Sequence, residues 1–303
     1  MNFRVSFRQL QVYVTVAKVG AIGAAALKLN LSQSATSQSL SDLERHLDVP
    51  LFERTGRRLI LTDAGLRLLS QAEALLDGLL SFVESAREPD GFIQGNLLIC
   101  ASATIGTYLV PSLIGRFCDL HPGVELQARL RNTEEVLSDV SRLEADIGLI
   151  EGPCTDDRLV AEYWCDDELV IVCGSEHPLA STGKIDDAGI ASQAWIVREA
   201  GSGTRSVLES AIAGHAQKLK IRMELGQHEA IKEAVRGGYG LACLPRLSVA
   251  EELARGALIE LKNNLNLTRS FYIVWHPRRY HSPVWQALKV FLREHQDDPK
   301  ARR

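Results

Sequence analysis

Apolar residues recur at helical spacing in the first part of the chain. Phe7, Leu10, Val14 and Ala17 fall on one face of a helix over residues 6–19. Residues 20–47, GAIGAAALKLNLSQSATSQSLSDLERHL, read as two helices joined by a turn at Asn30-Leu31. The first carries Ala24, Ala25, Ala26 and Leu27, small enough to let another helix cross closely. Ser32 is placed to cap the second. That helix sends Ala35, Leu40, Leu43 and Leu47 towards a core, and its other face is Gln33, Ser34, Thr36, Ser37, Gln38 and Ser41. These are short donors and acceptors, with no carboxylate before Asp42. LFERTGRRLILT, residues 51–62, predicts a hairpin with its tip at Thr55-Gly56. Thr62-Asp63 then opens a long helix to about Ala86. Its Leu69, Ala72, Leu76, Leu79, Val83 and Ala86 alternate spacings of three and four, a short heptad seam. A plain amphipathic helix would show the same spacing over so short a run. Arg87-Glu88-Pro89-Asp90-Gly91 stops the helix and marks a boundary.

Beyond the boundary, strand-like and helix-like patterns alternate. Strands are expected at 96–102, 124–130 and 146–150, with helices at 105–120 and 134–144. A second set has strands at 168–173, 195–198, 221–225 and 241–244, with helices at 204–213 and 229–235. Such alternation predicts parallel sheets covered by helices, in two lobes with a cleft between them. The chain crosses near Asp166-Asp167 and returns near residues 268–271, leaving 271–293 to finish the first lobe.

A length of 303 residues suits two or three domains, and 46% apolar content suffices for packed cores. Charge is uneven. Residues 1–70 carry 9 Lys and Arg against 5 Asp and Glu, whereas the whole chain carries 34 against 38. A basic head on an acidic body fits one nucleic-acid-facing domain. The first ten residues include Arg4 and Arg8 and lack an apolar run, so no signal peptide is expected, and nothing approaches a membrane span. The six cysteines form no CxxC pair and read as buried thiols of a cytoplasmic protein. His276 and His281 lack zinc spacing, so neither metal nor cofactor is expected.

The polar helix face of 33–41 suits entry into a major groove as well as it suits an ordinary solvated hairpin. The hairpin that follows favours the groove, because Arg54, Arg57 and Arg58 cluster at its tip, where guanidinium groups meet phosphates. FRQLQVYVTVAKVGAIGAAALKLNLSQSATSQSLSDLE followed by LFERTGRRLILTDAG resembles the N-terminal domain of the LysR-type transcriptional regulators. Ser34 and Gln38 depart from the family's usual Pro and Arg, so the wing is expected to carry more of the phosphate contact. The resemblance implies a winged helix-turn-helix over 1–62, a linker dimerisation helix over 63–89 and an effector-binding domain over 90–303. The last is a two-lobed α/β domain like a type 2 periplasmic binding protein, with lobe I at about 90–166 and 269–303 and lobe II at about 167–268. The expected fold is therefore α followed by α/β. Expected partners are double-stranded DNA at a pseudo-palindromic site, a small anion, a second or fourth copy of the chain, and RNA polymerase. DNA contacts are expected from Ser32, Gln33, Ser34, Thr36, Ser37, Gln38, Arg54, Arg57 and Arg58.

In such a body, ligands sit where strand ends meet helix starts. Three turns qualify: 101–106 with Ser102 and Thr104, 131–134 with Thr133, and REAGSGTR at 198–205. Gly201 and Gly203 allow close backbone approach. Ser202 and Thr204 add hydroxyls and Arg205 a charge, which together describe an anion site. Arg205 is equally spaced to pair with Glu209 one turn on. Glu151 leaves its strand into the cleft, where it would repel a bare anion but could accept a hydrogen bond from a protonated one. IEGPC, DDELVIV and ELGQHEAIKEAVRGGYGLACLP resemble one branch of the family, whose regulators serve sulfur metabolism and in part answer to sulfite. Neighbouring carbon-fixation regulators answer to phosphorylated metabolites. No GxSxG elbow, Walker loop or GxGxxG fingerprint stands in the right context, which argues against an enzyme.

Overall fold

Ser6 opens the first helix with a reciprocal cap, its hydroxyl accepting from Gln9 N and the Gln9 side chain accepting from Ser6 N. The computed structural model describes residues 5–55, 58–85, 93–213 and 219–296. One unit comprises residues 1–92 with 278–283, and the other residues 93–277 with 284–303.

The first unit runs α1 (Phe7–Val19), α2 (Ile22–Lys28), α3 (Gln33–Leu47), β1 (Phe52–Thr55), β2 (Arg58–Leu61) and α4 (Asp63–Ser85). Val12, Tyr13, Val16, Ala25, Leu43, Leu51 and Ala72 form its core. Ser32 caps α3 by accepting from Ala35 N at 3.1 Å. Glu44 then ties α3 to the hairpin, its Oε1 accepting from Leu51 N at 2.8 Å and Phe52 N at 3.2 Å. The strands pair antiparallel from Phe52↔Leu61 to Thr55↔Arg58. Thr62 caps α4, its hydroxyl accepting from Gly65 N at 3.0 Å.

Three expectations for this unit change. Ala35 is exposed and Thr36 is fully buried, because 36, 40 and 43 share one side of α3 while 35 lies well off it. Phe7 is half exposed, and α1 instead buries Val12, Tyr13, Val14 and Val16. Leu69, Ala72 and Leu76 of the heptad seam pack in the core beside α1, whereas Leu75, Leu80, Phe82 and Val83 lie exposed. Ala86 and the boundary at 87–91 lie outside the described residues.

The second unit begins β3 (Gln94–Ser102), α5 (Ala103–Tyr108), α6 (Val110–Leu120), β4 (Gly123–Arg131), α7 (Thr133–Ser141), β5 (Ile147–Glu151) and β6 (Val160–Gly174). It continues α8 (Asp187–Ser192), β7 (Ala194–Val197), α9 (Gly203–Ala213), β8 (Lys220–Glu224), α10 (His228–Arg236), β9 (Ala242–Pro245), α11 (Arg246–Ala254), β10 (Leu258–Glu260), β11 (Thr268–Trp275) and α12 (Pro283–Glu294). The expected helix over 105–120 is two helices, with Pro111 in the first turn of α6, where its missing N–H costs nothing.

The sheet is mixed rather than parallel throughout. β3 lies parallel to β4 and β5, and β7 parallel to β8. β11 runs antiparallel to both β5 and β6, and β6 antiparallel to β9 and β10. The cause is β6, fifteen residues long where a strand from Glu168 was expected. Its first half pairs with β11 and its second half with β9, so a single strand serves both lobes. One core gathers Ile99, Phe117, Ile147, Trp164, Trp285 and Phe291. Another gathers Leu169, Ile171, Trp195, Leu208 and Leu241. Between them, β6 and β11 place Asp167 opposite Arg269.

Candidate functional site

The start of α3 presents exposed Ser32, Gln33, Ser34 and Gln38, with Ser37 half-buried beside them. Thr36 is not on this face; its hydroxyl donates to the Ser32 carbonyl at 3.0 Å. Gln38 donates to Asp42 at 3.0 Å, and Asp42 also takes Arg45 at 2.5 Å. The exposed first turn carries no charged side chain, and its Ser32 and Ser34 hydroxyls stand 3.0 Å apart. Arg54 and Arg58 stand in β1 and β2, while Arg57 lies outside the described residues.

Within the second unit, helix starts from both lobes converge on Glu151, the last residue of β5, which is 2% exposed. Thr104 N in α5 donates to Glu151 Oε1 at 2.7 Å. Thr204 in α9 donates from Oγ1 to Glu151 Oε2 at 3.3 Å. Thr133 at the start of α7 donates to the Glu151 carbonyl at 3.2 Å. Gly203 lies so near that a Cβ there would stand 2.4 Å from the Glu151 carbonyl oxygen and 2.9 Å from Thr133 Oγ1. Gly201 takes a φ of +82°, and its carbonyl accepts from Glu134 N at 3.2 Å. The structure thereby brings together Ser102, Thr104, Thr133, Glu151, Gly201, Ser202, Gly203 and Thr204. The Ser102 and Ser202 hydroxyls, on residues 1% and 3% exposed, have no hydrogen-bond partner. Buried hydroxyls are ordinarily satisfied.

Arg205 is the exception among the expected residues. It donates to Glu209 at 2.7 Å, Glu224 at 2.6 Å and the Arg198 carbonyl at 3.2 Å. The local partner one turn away and Glu224 occupy its guanidinium.

The cluster's charge comes from Arg269 of β11, which sequence reasoning missed. Its side chain is 1% exposed. NH1 donates to Glu151 Oε2 at 2.5 Å and Thr204 Oγ1 at 3.0 Å, NH2 to Thr104 Oγ1 at 3.1 Å, and Nε to Asp167 Oδ2 at 2.7 Å. Burial alone would push the Glu151 carboxyl up; Arg269, His228 and the Thr104 hydrogen bonds outweigh it and hold the group at about 2. Asp167 is raised, because burial there exceeds the pull of the same arginine. His228 is a second missed residue. Its Nε2 stands 2.9 Å from Arg198 NH1, whose guanidinium also grips Glu199 with two 2.7 Å bonds. Arg198 can only donate, so Nε2 accepts and the ring is neutral. Burial first, then Arg198, holds His228 down at about 3.

Among the described residues no three His, Cys, Asp or Glu side chains are grouped to hold a metal ion, and no helix is long and apolar enough to cross a membrane.

Residues 7–66 match the family described as bacterial regulatory helix-turn-helix protein, lysR family, and residues 91–297 match the LysR substrate binding domain. The chain is 38% identical over 289 residues to the HTH-type transcriptional regulator YeiE of Escherichia coli (strain K12), covering 95% of this chain and 96% of that one. The regulatory domain of Synechocystis PCC6803 CcmR, solved in complex with 2-PG, is similar at 28% identity and a TM-score of 0.62, covering 68% of this chain and 99% of that one. A full-length OxyR variant from Pseudomonas aeruginosa shares the fold at a TM-score of 0.73 and 22% identity, covering 95% of this chain and 98% of that one.

Proposed function

Because the chain belongs to the LysR family of transcriptional regulators, with helix-turn-helix and substrate-binding domains both present, we propose that a small oxyanion is its effector. The protein is a DNA-binding regulator and not an enzyme. The oxyanion binds between the Ser102–Thr104 and Ser202–Thr204 turns, shifts the closure of the lobes and so changes DNA binding or activation. One observation supports this most directly: two buried hydroxyls, one from each lobe, lack partners in turns whose threonines, Thr104 and Thr204, both accept from the buried guanidinium of Arg269. Such groups can serve a ligand that spans both lobes, and a ligand that prefers the closed form shifts the population towards it. The effector we propose is sulfite or a related sulfur oxyanion, the ligand type implied by the resemblance of IEGPC, DDELVIV and ELGQHEAIKEAVRGGYGLACLP to the sulfur-metabolism branch. The family's oligomerisation supports a dimer or tetramer reading a pseudo-palindromic site through α3, with half-sites about one helical turn apart.

The test is a thermal-shift titration of the full chain with sulfite, sulfate, thiosulfate, phosphate and 2-PG. A ligand held only by the folded form stabilises it by about 2.7 kcal/mol at a hundredfold excess over Kd. A shift with one sulfur oxyanion, lost in Ser102→Ala and Ser202→Ala, supports the reading. A shift with 2-PG alone favours a phosphorylated metabolite, the reading that the CcmR domain's 2-PG complex supports. No shift with any of the five removes the oxyanion assignment.

For the DNA face, Gln33→Ala is expected to weaken specific binding by about 1–3 kcal/mol while nonspecific binding changes little. Electrophoretic titration on specific and scrambled duplexes decides it, equal losses on both arguing against base reading.

A further inference from the structure

The outward side chains of α3 are mostly hydroxyls, Ser34, Ser37 and Ser41, with two amides, Gln33 and Gln38, and this inference rests on the reading of DNA through α3 given above. A serine hydroxyl rotates to donate or accept, so it discriminates poorly between bases. An amide discriminates better, provided its carbonyl and its N–H2 are kept from exchanging places. Gln38 is exposed one turn before Asp42, and its Nε2 donates to Asp42 Oδ1 at 3.0 Å. A carboxylate accepts and cannot donate, so the N–H2 end of the amide must be the end that faces Asp42. Arg45, three residues further on, donates to the same Oδ1 at 2.5 Å and steadies the carboxylate. That pairing also offsets a negative charge that DNA phosphates would otherwise repel.

Gln38 keeps one N–H and its carbonyl oxygen for another partner. In the major groove adenine presents the N7 acceptor beside the N6 amino donor, whereas guanine presents two acceptors, N7 and O6. One donor and one acceptor complement adenine, and they set a carbonyl against guanine O6. We propose that Gln38, with its amide fixed by Asp42, is a specificity-determining residue that selects adenine at the base pair it meets. Asp42 is a positioning residue, acting through Gln38 rather than on the base. Without it both N–H donors are released and can turn towards the two acceptors of guanine, so the discrimination falls.

The test is selection of duplexes from a random-sequence pool by the full chain, then titration on the selected duplex and on single-base changes of it. One position should require adenine, and adenine to guanine there should weaken wild-type binding about tenfold or more. Gln38→Ala should abolish the preference at that position alone. Gln38→Arg should move it to guanine, whose two acceptors match two guanidinium donors. Asp42→Ala should cut the adenine-over-guanine ratio to about threefold or less. Its affinity for a scrambled duplex should hold or rise, because Arg45 is released towards phosphates. Asp42→Asn keeps an acceptor oxygen and should retain most of the ratio, which guards against an Ala variant that misfolds. An unchanged ratio in Asp42→Ala overturns the positioning role. A cytosine preference lost in Asp42→Ala places the carboxylate itself on a base and overturns it too. If Gln33→Ala relaxes a position of the site and Gln38→Ala relaxes none, this inference fails while the reading through α3 stands. If neither relaxes any position, the reading through α3 falls first and this one with it.

Discussion

Two helix starts in the second unit share the pattern Ser-x-Thr, Ser102-Ala103-Thr104 and Ser202-Gly203-Thr204, yet they serve Glu151 differently. The first gives it a backbone N–H, from Thr104 to Oε1, and the second gives it the Thr204 hydroxyl, to Oε2. The middle residue explains part of the difference. Ala103 is tolerated in the first turn, whereas a Cβ at position 203 would strike the Glu151 carbonyl oxygen at 2.4 Å. The second turn thus lies against the backbone of β5 at Glu151. Arg269 unites them, donating to both threonine hydroxyls. Matching sequence at two places therefore yields matching free hydroxyls but unequal attachment to the shared carboxylate.

Removing Arg269 is the severest way to break this arrangement. Arg269→Met leaves Glu151 and Asp167 as buried charges without a counterion, and the expected loss is about 3–5 kcal/mol of unfolding free energy. Urea denaturation of the full chain measures it. Adding Glu151→Gln to that variant should recover part of the loss, since one uncompensated charge disappears. A loss under about 1 kcal/mol would show that water reaches the cluster and screens it.

His228 sharpens the comparison by acid titration. Its folded pKa of about 3 lies below its ordinary value, so the unfolded chain binds more protons between the two. Stability contributed by the neutral ring is complete above about pH 6.5 and declines as pH falls towards 3. Glu151, held at about 2, adds a loss of the same sign only below its ordinary 4.5. Between about 6.5 and 4.5, then, His228 is the one of this pair that acts, at up to about 1.4 kcal/mol per pH unit. His228→Gln, whose amide oxygen can still accept from Arg198, should flatten the Tm profile in that window. An unchanged profile would assign the acid lability to other groups.

Much of the architecture could be read from the chain because its causes are local. Ser32 before a polar helix face, Thr62 before the long helix and the alternation of strands and helices all act within a few residues. Arg269 could not be found that way. It lies 118 residues from Glu151 and 102 from Asp167, and no local period links them. A fainter signal was present: Leu267, Arg269, Phe271 and Ile273 alternate along one side of a strand, so the arginine occupies an inward register among apolar residues. The Asp166-Asp167 doublet that hid the full length of β6 supplies its answering charge, while Ser270 donates to Asp166 at 2.8 Å. Arg205 misled for the opposite reason. Its glycine-rich setting suggested an anion, but Glu209 one turn on and Glu224 across the fold satisfy it.

The gentlest substitutions separate stability from binding. A buried hydroxyl without a partner contributes nothing to folding and costs its desolvation, so Ser102→Ala and Ser202→Ala should each leave stability unchanged or raise it by up to about 1 kcal/mol. Thr104→Ala and Thr204→Ala remove hydroxyls that accept from Arg269 and should each lower stability by about 1–2 kcal/mol. The serine variants should nevertheless lose the oxyanion-induced rise in Tm. Thermal melts of the four single variants, with and without sulfite, distinguish the two roles in one experiment. If the serine variants destabilise the unliganded protein as much as the threonine variants do, the serines are structural, and the turns in both lobes are ordinary helix starts rather than the walls of a ligand site.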